Sequence, residues 1–78
     1  MCGIIGINSS KPVSSTIINS LKKLEYRGYD SAGLATLADN TINEKKCSGR
    51  VEELEKILFK TPSNGNIGIG HVRWATHG

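Results

Sequence analysis

The chain opens Met1–Ile7, MCGIIGI, a short Ile-rich apolar run broken by Gly3 and Gly6, with a cysteine directly behind the initiator methionine. Residues 2–8 read as a buried strand whose backbone is closely approached by another part of the fold, because glycine inside a strand removes the side chain that would keep a neighbour away. Outward from it, "NSSKP" supplies turn chemistry. Ile17, Ile18, Leu21 and Leu24 then fall on one helical face, which predicts a helix from about Ser15 to Glu25 with Ser14 or Ser15 as its cap. "YRGYDSAG" interrupts that period with two glycines. "LATLADNTINEKKC" reads as two short strands turning at Asp39 and Asn40, a pair that tolerates turn conformations. "VEELEKILF" restores helical spacing through Val51, Leu54 and Leu58 until Pro62 and "SNGN" stop it, and "IGIGHVRWA" is strand-like again. The order is strand, helix, hairpin, helix, strand, an α+β arrangement without internal repeat or linker.

The 78 residues are 37% hydrophobic and 22% charged, the balance of an ordinary globular chain. The net charge of +3 comes from scattered Lys and Arg with no block of like charges, which argues against nucleic acid as a partner. No basic and apolar leader precedes Gly6 and no apolar run approaches the ~18 residues of a membrane span, so the expectation is a cytoplasmic protein with no membrane attachment. In that compartment Cys2 and Cys47 are expected to be free thiols. The Cys and His spacings fit no zinc site, no clustered acids suit a hard cation, and "GNIGIG" lacks the order of a dinucleotide fingerprint, so no metal or cofactor is expected.

Several side chains could carry chemistry. If the initiator methionine is removed, Cys2 acquires a free α-amino group of pKa ~7.7 to 8.0 beside a thiol of ~8.5, and the neutral amine can take the thiol proton directly or through one water. That is an N-terminal nucleophile with its base built in. Position alone favours the plainer reading, a small hydrophobe packed in a first strand, because free cysteine is among the most buried residue types. Arg73 offers a planar donor fork suited to an amino acid's α-carboxylate, or else a salt-bridged surface Arg. Trp74 could wall a pocket or fill a core, and His77 could donate a hydrogen bond or stand exposed in a loop.

Three stretches together, "MCGIIGI" at 1–7, "LEYRGYDSAGLA" at 24–35 and "HVRWATHG" at 71–78, resemble the start of the class II glutamine amidotransferases. Within the family, "RGYD" and "RWATHG" favour the members that aminate fructose 6-phosphate over the amidophosphoribosyltransferase type. The resemblance implies the N-terminal nucleophile hydrolase fold, a four-layer α/β/β/α sandwich, of which residues 1–78 hold the N-terminal portion of a glutamine amidotransferase type 2 domain and read as truncated, with no sugar-isomerase domains. It implies that Cys2 attacks the side-chain amide of glutamine, releases ammonia and leaves a γ-glutamyl thioester for water to hydrolyse. It further implies that Arg73 holds the glutamine α-carboxylate and that Trp74, Thr76 and His77 belong to a loop closing over the substrate. Arg27 would help to order the site near the new N-terminus, or else, together with Tyr26 and Asp30, only form the loop. Fructose 6-phosphate would accept the ammonia only in a full-length enzyme. A complementary downstream chain would be a partner, and a catalytically silent fragment is the alternative that the residues leave open.

Overall fold

The computed structural model describes residues 2–25 and 30–73. Its elements run β1 (Cys2–Asn8), α1 (Ser14–Leu24), β2 (Ser31–Ala38), β3 (Thr41–Ser48), α2 (Val51–Lys60) and β4 (Ile67–Arg73). The expected order holds. The four strands form one antiparallel sheet in the order β1-β4-β2-β3. The last strand therefore inserts between the first strand and the hairpin, and each helix carries the chain across a strand that lies between the two it connects. The hairpin turns on Asp39 and Asn40, whose φ angles of 52° and 62° give both central residues the left-handed backbone of a type I′ turn. Its first strand begins at Ser31 rather than Leu34, because Ser31 to Gly33 find ladder partners on both sides, in β3 and in β4.

Both helices pack on one face of the sheet, and a single core joins Val13, Ile17, Ile18 and Leu21 to Ala32, Leu34 and Val72 of the strands and to Val51 and Leu54 of α2. The alternation in "IGIG" follows from this packing. A Cβ on Gly70 would collide with Ile17, and one on Gly68 would stand 2.8 Å from the Ala35 carbonyl and 3.1 Å from Ile17 Cδ1, so α1 lies on β4 where β4 has no side chains. The intervening Ile67 and Ile69 project from the opposite face and are exposed.

The start of α1 differs from expectation. Its N-cap is Val13, in helical conformation and without a side-chain cap, so neither Ser14 nor Ser15 has that role. Val13 is buried and its N–H donates to the Gly65 carbonyl at 3.0 Å, so docking against the loop before β4 sets where the helix begins. The first strand also differs. β1 lies at the sheet edge and Ile4 is 76% exposed, while Ile5 and Ile7 pack against the core and Gly3 is the position closely approached, by Leu24. Ile4, Leu37, Ile42, Ile67 and Ile69 all lie on the face away from the helices, so the described structure is two layers, with one sheet face open.

Candidate functional site

The three motifs that are far apart in sequence meet at one end of the sheet. Cys2, the first residue of β1, pairs with Arg73, the last of β4; Arg73 pairs on its other side with Ser31, the first of β2, and Ser31 with Ser48, the last of β3. Antiparallel pairing sets directly opposite residues about 4.5 to 5.5 Å apart at Cα, so the backbone of Cys2 is an immediate neighbour of that of Arg73.

Each position has a local cause. The Arg73 guanidinium faces outward, with Nη1 3.5 Å from Asp30 Oδ2. Asp30 is fixed through its carbonyl, which accepts the Gly49 N–H at 2.8 Å. Gly49 adopts φ +97°, a backbone that a side chain would strain, and so turns the end of β3 back towards Asp30. His71 also projects from the open face and lies across Gly33: a Cβ there would be 2.9 Å from His71 Nε2. Ser31, Lys46, Ser48 and His71 line a shallow cavity of about 440 Å³ beside this end of the sheet. A larger groove of about 570 Å³ lies between the helices, lined by Ile18, Leu58 and Phe59 among others, and contains none of the candidate residues.

Cys47 is a free, half-buried thiol. Burial pushes it up from the usual range, Glu53 and Glu25 add to the rise, and a hydrogen bond with the Ala32 backbone opposes it in part. Held in the protonated form, it is a poor nucleophile at neutral pH. Among the described residues no cluster of His, Cys, Asp and Glu could hold a metal ion, and no helix is long and apolar enough to cross a membrane.

Of the residues singled out in the sequence, the structure brings the backbone of Cys2 beside Arg73; Arg27, Trp74, Thr76 and His77 lie outside the described residues. Asp30, a loop residue by its sequence motif, faces Arg73, and His71 lies over Gly33 beside them. Asp30 carried one signal in the sequence, an acid three residues beyond Arg27 in the same motif; His71 over Gly33 carried none, because that contact exists only across the sheet.

No protein-family profile matches the chain. Among curated proteins it is 59% identical to the glutamine–fructose-6-phosphate aminotransferase (isomerizing) of Clostridium acetobutylicum and 54% identical to that of Bartonella henselae, each match spanning all of this chain and 13% of the relative. Among solved structures it superposes on the glutamine phosphoribosylpyrophosphate amidotransferase of B. subtilis, complexed with ADP and GMP, with a TM-score of 0.84 and 25% identity over 99% of this chain and 17% of that one. The chain thus spans about one-eighth of the length of the curated relatives it matches. In sequence along its whole length, and in a fold of one antiparallel sheet carrying two helices, the chain resembles the N-terminal portion of a class II glutamine amidotransferase, with high sequence identity to members of the glutamine–fructose-6-phosphate aminotransferase kind.

Proposed function

We propose that this chain carries the nucleophile and part of the glutamine pocket of a glutamine-hydrolysing amidotransferase domain. The observation that carries the reading is the register that sets Cys2 opposite Arg73. A glutamine whose α-carboxylate engages the Arg73 fork lies along the end of the sheet at which Cys2 begins β1, within a side chain's length of that residue.

With the initiator methionine removed, the α-amino group of Cys2 takes the thiol proton and the sulfur attacks the glutamine side-chain amide carbon. The C–N bond breaks, the nitrogen leaves as ammonia with the proton returned from the ammonium, and a γ-glutamyl thioester remains. Water then cleaves the C–S bond, giving glutamate and the free thiol. Trp74, Thr76 and His77 would close over the substrate and keep water out until ammonia has left, and Arg27 would help to order the site. The steps as proposed call on no cofactor or metal.

By similarity to the named relatives, ammonia would pass in the full-length enzyme to fructose 6-phosphate; glucosamine 6-phosphate would then be the product and the cytoplasm the expected location. Residues 1–78 would be the N-terminal part of the amidotransferase domain, completed by further chain, continuous or complementary. The amidophosphoribosyltransferase likeness is compatible with the same glutaminase chemistry at 25% identity, and the 59% relative favours the sugar acceptor.

Intact-protein mass before and after exposure to 6-diazo-5-oxo-norleucine, a reactive glutamine analogue, tests the reading. Loss of methionine and one adduct located on Cys2 is the expected result. Retained methionine, or labelling without selectivity for Cys2, would point to a silent fragment.

A further inference from the structure

We infer that Asp30 is a positioning residue for Arg73, holding the guanidinium ready at the Cys2 end of the sheet to receive a substrate α-carboxylate. The inference rests on the role proposed above for Arg73.

The contact joins Asp30 Oδ2 to Arg73 Nη1 at 3.5 Å, and the two side chains are 42% and 65% exposed. A pair this exposed adds little to folding stability, because water solvates both charges well when they are apart. Its geometry nevertheless has a purpose-fitting form. Asp30 is tied to the turn after β3 by the Gly49 N–H at 2.8 Å, and its neighbour Ser31 is the ladder partner of Arg73, so carboxylate and guanidinium are anchored on paired strand ends. The long arginine side chain is free in most of its torsions when exposed, and ordering it costs binding energy when a ligand must do so. Asp30 imposes part of that order beforehand. The contact runs through Nη1, and a planar guanidinium carries further donors with which to meet a second planar carboxylate.

The effect belongs to substrate capture and not to bond breaking. In the complete amidotransferase containing this chain, Asp30→Asn should raise the KM for glutamine about fivefold, the scale of an exposed ion pair, with kcat within about twofold. Asp30→Glu should recover part of the loss. With glutamine α-methyl ester, which offers Arg73 no carboxylate, Asp30→Asn should leave KM unchanged. A KM for glutamine that stays constant overturns the inference, as does one that falls, which would make Asp30 a competitor for the fork. An equal rise for both substrates would make Asp30 structural only and also overturns it. Arg73→Lys in parallel separates the two levels: if it leaves the glutamine KM unchanged the role of Arg73 itself fails, whereas if it raises KM and Asp30→Asn does not, only the positioning role fails.

Discussion

Cys47 differs from an activated thiol in its surroundings, since it is half-buried against the core and near the carboxylates of Glu53 and Glu25, all of which favour the neutral form. Its alkylation by iodoacetamide should therefore be slow at pH 7 and accelerate only well above pH ~8.5, the range of an unperturbed thiol. The sign of its effect on stability follows. The native state keeps the proton to higher pH than the unfolded chain does, so above about pH 8.5 unfolding releases a proton and stability falls as pH rises; Cys47→Ser should flatten that alkaline slope in urea titrations. The nucleophilic role proposed for Cys2 makes the opposite demand. Cys2→Ala should abolish glutamine hydrolysis in any assembly containing this chain, measured as ammonia release, and retained turnover would dismiss the nucleophile assignment. Arg73→Lys should chiefly raise the glutamine KM, since a point charge does not reproduce a planar fork.

The helices lack side-chain caps of their own, and the elements around them make up for it. The N–H of Val51, the first residue of α2, donates to Glu25 Oε2 at 2.6 Å, so the residue that ends α1 caps the next helix from across the fold. A carboxylate there also meets the positive end of the helix dipole. Glu25→Ala should lower stability by about 1 to 2 kcal/mol in denaturant titration, the cost of a lost charged cap. The loop from α2 to β4 is tied down in a comparable way. Thr36 Oγ1 donates to the Asn64 carbonyl at 2.7 Å and lies 2.7 Å from Ser63 Oγ, whose proton then points back to Thr36, and both side chains are buried. Thr36→Val keeps the volume but leaves those two partners unpaired, at a cost of about 1 to 3 kcal/mol. Gly70→Val should be worse tolerated than Gly6→Val, because α1 packs on Gly70 and only van der Waals neighbours at 3.8 Å or beyond surround Gly6.

At the scale of the whole molecule, one sheet face packs the helices and the other exposes Ile4 at 76%, Ile42 at 71% and Ile69 at 60%. An apolar face of that kind binds hydrophobic dyes and self-associates in water. The chain by itself should bind anilinonaphthalene sulfonate strongly, and Ile4→Ser with Ile69→Ser should reduce that signal and raise solubility; an unchanged signal would place the dye elsewhere, at the groove beside Phe59.

Much of this architecture was legible in residue order. Apolar spacing predicts both helices and the first and last strands, because each of these elements buries one face and the period of the pattern is the period of the backbone. Asp39 and Asn40 located the hairpin, because they tolerate the left-handed backbone that a tight turn requires. Resemblance in three motifs indicated the family, and Cys2 and Arg73 with it. Tertiary structure alone decided the rest. Nothing local says that β4 inserts between β1 and β2, since strand order depends on which edges remain open once the helices have docked. That insertion is what sets Arg73 against Cys2 on one side and Ser31 on the other, and brings Asp30 to the guanidinium. The start of α1 at Val13 and the capping of α2 by Glu25 escaped local reading for the same reason: each is determined by a partner distant in sequence, Gly65 in one case and the end of the preceding helix in the other. Periodicity records which face of an element is apolar, and only the packed chain determines what that face meets.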